Sequence, residues 1–208
     1  GLISCAASAA VDDVVTRTTW KMLYGVTDAQ MNDPAWLAAD ADGDGMSNGA
    51  EIAAGTNPFQ ANSIVKITAT TFDATGMRMT FPTANGKLYI VQGTTNLANP
   101  ASWSNLSPTV QVSGTGSPQT VTAPAAASGS FYRVLVQDMD SDGDGVADWA
   151  ERVLGYNPNS ATTNGSAHDH SAVTSALATS NVVTISVTKS SASQPADANT
   201  PPVETGSI

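Results

Sequence analysis

The chain has 208 residues, with 18 Asp and Glu against 8 Lys and Arg and a formal charge of −10 at pH 7. That balance excludes a nucleic-acid partner and an anionic membrane surface, since both would be repelled. No apolar run reaches the length needed to cross a bilayer, and Cys5, the single cysteine, leaves neither an intrachain disulfide nor a zinc-thiolate site.

Residues 1–27 read as an N-terminal segment, an export-signal remnant or a strand. GLISCAASAAVDD fits three descriptions. It is the tail of a signal peptide, with Ala7, Ser8 and Ala9 before an acidic start; or Leu2-Ile3-Ser4-Cys5 is lipobox-like and Cys5 carries lipid; or Cys5 is a small buried thiol in an N-terminal strand. All three point to export, to the extracellular space or the cell surface.

Residues 28–60 form the first of two matching modules. DADGDGMSNGAEIAAGTNP, residues 40–58, aligns at an offset of one hundred with DSDGDGVADWAERVLGYNP, residues 140–158. Nine of the eighteen acidic residues lie in these two windows. A calcium ion takes about six to eight oxygens, which a twelve-residue loop supplies from positions 1, 3, 5, 7, 9 and 12. The first loop offers Asp40, Asp42, Asp44, the carbonyl of Met46, Asn48 directly or through water, and Glu51. The second offers Asp140, Asp142, Asp144, the carbonyl of Val146, Asp148 and Glu151. Gly45 and Gly145 stand sixth, where the backbone must turn sharply. Uncompensated carboxylates at this density would repel one another, so two bound Ca2+ ions are expected as cofactors. Magnesium, with its strict small octahedron, suits such a ring less well.

SNGAEIAA and ADWAERVL read as short helices ended by Gly55 and Gly155, with Pro58 and Pro158 beyond. Before the first loop, Asp28 is placed to cap a short helix through Trp36 and Leu37. Before the second stands FYRVLVQD, a strand, so the second copy is a loop plus one helix. The loops resemble the isolated calcium loops of dockerins and thrombospondin type 3 repeats, above all the DxDGDGxxNxxE…GTxP form of large secreted bacterial proteins. Dockerin loops lie close together, whereas a hundred residues separate these. The cysteines of animal thrombospondin repeats are absent. The resemblance implies calcium bracing.

Residues 61–137 alternate as half-buried strands: IVKITATTF, GMRMTFPTA, KLYIVQGTTNL, SWSNL, TVQVSG, QTVTA and SFYRVLVQD. Their number and spacing predict an antiparallel β-sandwich of immunoglobulin or fibronectin type III kind. GKLYIVQGTTNLANPASWSNL with SFYRVLV resembles a small β-module that accompanies such calcium loops in secreted bacterial proteins. Tyr89, Trp103, Phe131 and Tyr132 are candidates for a carbohydrate platform, against a reading as core and turn aromatics. The second calcium-loop module spans 138–160, and each module is expected to stiffen one junction flanking the sandwich.

Residues 161–180 read as a polar linker. His168, Asp169 and His170 within it are candidate transition-metal ligands or simply solvated. Asn105-Leu106-Ser107 and Asn164-Gly165-Ser166 match the glycosylation sequon, so an attached glycan or a polysaccharide enters as a candidate partner. Residues 181–208 are a terminal strand, NVVTISVTKS, and a Thr/Pro-rich tail. A lone amphipathic strand is not stable in water, so it must pair elsewhere.

The expected architecture is mainly β: an antiparallel β-sandwich flanked by two EF-hand-like calcium loops, each followed by a short helix, with orphan terminal strands. No GxSxG, HExxH, Cys–His pair or phosphate loop is present, so no enzyme is expected. The favoured function is a calcium-stabilised extracellular structural protein, its partners copies of itself in a fibre built by strand exchange. The alternative is a carbohydrate-binding or spacer module of a larger secreted enzyme or adhesin.

Overall fold

A computed structural model describes residues 14–124, 131–163, 165 and 168–180. The readings of Cys5, of Asn164 and of the terminal strand fall outside those residues. The fold is mainly β. Among the described residues, six strands form two antiparallel sheets. One has the order β1 (Ala69–Asp73), β2 (Gly76–Phe81), β5 (Gln119–Pro124), and the other β4 (Ser104–Ser113), β3 (Lys87–Thr94), β6 (Phe131–Asp138).

The alternation read in the sequence turns one side of each sheet inward. Met79, Phe81, Val121 and Ala123 from the first sheet meet Tyr89, Val91, Val134 and Val136 from the second in a single buried cluster. Two sheets facing across one apolar layer make a sandwich. The seven alternating runs, expected to give six or seven strands, give six among the described residues. SWSNL and TVQVSG are one strand, because Pro108 falls in β4, an edge strand whose outer side needs no N–H. The ladder absorbs the interruption as a bulge: Val91 stands opposite Val110, and Gln92 opposite Asn105. At the other end, Ile64–Thr68 stays outside the sheet, although Val65 is buried in the sandwich core.

A second layer, made of helices, covers one end of the sandwich. Here the structure departs most from the sequence reading. Residues 14–24, read as export remnant or strand, are helix α1 (Val14–Tyr24). Its sequence, VVTRTTWKMLY, is rich in β-branched residues of low helix propensity, so burial of Val15, Thr16, Thr19 and Trp20 along one face must hold it. The Trp20 ring lies 4.7 Å from Tyr24 and 5.9 Å from Trp149, centroid to centroid.

Before the first loop run two short helices, α2 (Asp28–Met31) and α3 (Pro34–Ala38). Asp28 is not the cap: Thr27 caps α2 through a reciprocal box with Gln30, and Asp33 caps α3 by accepting from the Ala35 N–H at 2.9 Å. Asp28 instead pairs with Lys21 of α1.

The two loop modules do not sit at separate junctions. Helices α4 (Asn48–Ala54) and α5 (Asp148–Leu154), one after each loop, contribute Ile52, Trp149 and Ala150 to one apolar cluster with Val15, Trp20, Val26, Met31, Val146 and Val173. Chain segments a hundred residues apart thus share a core. The linker, too, is helical in its second half: α6 (Asp169–Ser180) lays Val173 into the same cluster.

The layers are joined at Lys87, which is 1 % exposed. Its ammonium donates to the Ala53 carbonyl of α4 at 3.0 Å, pairs with Asp138 at the end of β6, and stands 4.8 Å from the Trp149 ring centre. Beside it, Gly86 lets α5 approach: a Cβ there would lie 2.4 Å from the Trp149 backbone nitrogen, and its φ of +76° is one side chains avoid.

Candidate metal centre

Each acidic loop folds on itself through its own aspartates. Asp40 Oδ1 accepts from the Gly43 N–H at 2.7 Å and Oδ2 from the Gly45 N–H at 2.9 Å, and Asp140 does the same with Gly143 at 2.8 Å and Gly145 at 3.1 Å. Asp44 Oδ1 accepts from the Met46 N–H at 2.7 Å, and Asp144 Oδ1 from the Val146 N–H at 2.8 Å. Gly45 and Gly145 hold φ of 98° and 92°, as the sixth position requires.

These bonds gather the carboxylates. Asp40, Asp42 and Asp44 each present an oxygen within 4.8 Å of the others, and so do Asp140, Asp142 and Asp144. The twelfth-position glutamates complete the concentration of charge. Glu51 and Glu151 are fully buried, each in the helix that follows its loop.

Burial and the neighbouring aspartates, Asp42 and Asp44, raise the Glu51 pKa to about 7. Burial and Asp142 and Asp144 do the same for Glu151, also to about 7. Buried oxygens without a donor mark the same places: Asp42 Oδ2, Asp44 Oδ2, Glu51 Oε2, Asp142 Oδ2 and both carboxylate oxygens of Glu151. Unpaired buried carboxylate oxygens are costly, and a hard divalent cation satisfies them all at once. The donor set, all oxygen, fits calcium.

Position nine behaves otherwise. Asn48 is buried, its Oδ1 accepting from the Ala41 N–H at 3.1 Å and its Nδ2 donating to the Trp36 carbonyl at 2.7 Å. Asp148 accepts from the N–H and hydroxyl of Ser141 at 2.7 and 2.8 Å. Both side chains brace the loop's second residue rather than joining the aspartate triad. The side chains of Met46 and Val146, whose carbonyls stand seventh, anchor in opposite layers: Met46 in the sandwich core, Val146 in the helical one.

The helices end as the sequence indicates, at Gly55 and Gly155 in the left-handed conformation. The structural repeat runs further than the trailing Asn-Pro. The Asn57 N–H donates to the Ser63 hydroxyl and the Asn157 N–H to the Thr163 hydroxyl, both at 2.8 Å. Conserved hydroxyl chemistry at this offset, Ser63 against Thr163, is the signal that marks it.

Of the trio in the linker, Asp169 is fully buried, and its carboxylate accepts from the N–H and hydroxyl of Thr163. It is a brace at the head of α6. The His170 N–H reaches Asp144 Oδ2 at 3.4 Å, which sets α6 against the second loop. The four aromatics considered for a sugar platform do not all reach one surface: Tyr89 is in the core, its hydroxyl accepting from the Ala84 N–H, and Tyr132 packs against that core, while Trp103 is stacked under Arg133 at 4.6 Å and Phe131 is exposed.

The family model for the bacterial TSP3 repeat matches residues 40–61 and 140–161. Neither the curated proteins nor the solved structures gave a match to the chain. The matched segments carry the two aspartate triads, which together mark the chain as calcium-binding and its loops as thrombospondin type 3-like. Repeats of this kind are typical of extracellular proteins. Among the described residues, no helix is long and apolar enough to cross a membrane.

Proposed function

We propose that this chain is a non-catalytic, calcium-braced structural protein of the cell exterior, and that it assembles with copies of itself into a surface fibre by strand exchange. The supporting observation is that the helices after both acidic loops share one helical layer, which clamps one end of a sandwich whose two sheets each end in edge strands. Two Ca2+ ions are held, one by Asp40, Asp42, Asp44 and Glu51 with the Met46 carbonyl, the other by Asp140, Asp142, Asp144 and Glu151 with the Val146 carbonyl. Asn48 and Asp148 support their loops from behind. Because the buried carboxylate oxygens of both loops repel one another and lack donors without an ion, binding energy becomes folding energy and metal stabilises the end cap.

Sedimentation in millimolar calcium, repeated after chelation, tests the reading. Large assemblies that dissociate on chelation are expected, and a monomer in both conditions would overturn polymerisation. A second reading, a carbohydrate-binding or spacer module, draws support from a cavity of about 310 Å³ lined by Trp20, Tyr24, Trp149, Asn85, Lys87 and Arg152. Aromatic faces beside polar groups suit a sugar ring. Isothermal titration of the calcium-loaded monomer with soluble polysaccharides would separate this reading from the first.

A further inference from the structure

The cavity of about 310 Å³ opens where four parts of the chain meet: α1, the glycine that ends α4, the connection between β2 and β3, and α5. Its lining runs from buried to exposed. Trp20 and Trp149 are buried, Tyr24 is half-buried, and Leu23 and Val153 are large apolar side chains left in contact with water.

The charge of that lining is opposite to the rest of the molecule. The chain holds 18 Asp and Glu against 8 Lys and Arg, yet no carboxylate lines the cavity and two of the eight cations do. Lys87 is committed to Asp138 and to the Ala53 carbonyl. Arg152 is exposed and makes no ion pair among the described residues. A planar guanidinium offers paired N–H donors that match the two oxygens of a carboxylate. Asn85, also exposed in the lining, adds an amide that both donates to and accepts from hydroxyl groups.

We propose that this cavity binds a uronic acid residue of an acidic polysaccharide, its carboxylate paired with Arg152 and its ring against Tyr24, Leu23 and Val153. This rests on the carbohydrate-binding reading above and names its ligand class. A bare inorganic anion would leave the apolar lining unused, whereas a sugar ring with one carboxylate uses both kinds of surface. The volume lies at the lower end of small-molecule sites, about 300 to 1,000 Å³, and so takes a short stretch of saccharide.

The site is coupled to calcium through its walls. Arg152 directly follows the second loop's Glu151, and the Gly55 N–H donates to the carbonyl of the first loop's Glu51. Burial, and after it the Glu51 charge, raise the Tyr24 pKa, so that glutamate acts at the cavity. Calcium at the first loop offsets its charge, and an anionic ligand then meets less repulsion. Coupling between two sites is reciprocal, so the saccharide tightens calcium by the factor by which calcium tightens the saccharide.

The test titrates the full chain, at fixed free calcium, with short oligomers of galacturonate and of glucuronate and with their methyl esters, which keep the rings and lose the charge. Heat and tryptophan fluorescence are followed. The acid is expected to bind roughly tenfold more tightly than the ester, and Arg152→Gln to abolish that difference while ester binding persists. Arg78→Gln, which removes an exposed cation of β2 outside the cavity, should leave the difference intact. An unchanged melting temperature shows that each variant is folded. Equal binding of acid and ester, or equal losses from the two variants, would overturn the acidic ligand and leave a neutral-sugar site standing. No binding of either form removes the carbohydrate reading with it. Acid binding that is as tight after chelation would overturn the coupling to calcium.

Discussion

The two acidic loops are nearly the same in sequence and are used differently. Loop one leads into α4, which lies between the layers: Ala50 and Ala54 pack toward the sandwich core, while Ile52, on its other side, enters the helical one. Loop two leads into α5, whose Trp149 and Ala150 belong to the helical cluster, and it is closed from behind by the head of α6 through His170 and Asp144. Among the described residues loop one has no such closure; burial raises the Asp44 pKa there, and the Lys66 charge offsets part of that rise. The contrast teaches that a repeat specifies its metal site, while the residues between its ligands specify what the site holds together.

Removing calcium should break the comparison altogether. At a free concentration about a thousandfold above Kd, each ion stabilises by about 4 kcal/mol. Calorimetry with and without chelator should show the helical layer melting well before the sandwich, with loss of the near-UV signal of Trp20 and Trp149. Lys87→Met comes next. It leaves Asp138 without its partner and the Ala53 carbonyl without its donor, and a loss of about 3 kcal/mol is expected in urea unfolding of the calcium-loaded protein.

Glu51→Gln and Glu151→Gln sharpen the contrast. Each should weaken calcium at its own loop at least tenfold, about 1.4 kcal/mol, by titration calorimetry. Glu51→Gln should also raise hydrogen exchange in β2 and β6, through α4, whereas Glu151→Gln should affect α1, α5 and α6. Equal exchange patterns in the two variants would refute the division of labour.

A pH dependence follows from the same glutamates. In the calcium-free fold both pKa values rise from 4.5 to about 7, so between those values the folded state holds protons that the unfolded state has lost. Their contribution to apo stability is complete below about pH 4.5 and is lost as pH rises through 7. Calcium displaces those protons, so its affinity should climb from pH 5 to pH 8. A flat profile would mean that the glutamates are not ligands. The smallest effect is expected at the caps. Ser47 caps α4 by accepting from the Ala50 N–H, while Ala147, at the same place before α5, has no side-chain oxygen to offer. Ala147→Ser should therefore stabilise by about 1 kcal/mol.

Much of this was legible in the chain itself. The loops announce their ligands because coordination ties residue type to position, and Asp40, Asp42 and Asp44 can be read without any tertiary contact. The strands were legible because a two-residue period maps directly onto an inward side. Helix α1 was hidden: Val14, Val15, Thr16, Thr18 and Thr19 favour strand locally, and only the pocket around Trp20 reverses that. Helix α6 was hidden for another reason: its mixed Ser, Thr and Ala sequence shows no clear apolar stripe, and only the burial of Asp169 and Val173 marks its inner side. At position nine Asn48 and Asp148 are equally suited to ligating a metal and to bracing a backbone N–H, and their packing adds the second role, which the sequence does not show.

Lys87 bonds at once to Ala53, at the end of the first module, and to Asp138, at the start of the second. The chain therefore departs for the sandwich and returns from it at almost the same point. In terms of chain path the β-sandwich is an insert whose entry and exit are fastened by one buried cation, so a change at Lys87 loosens both ends of the sheets together.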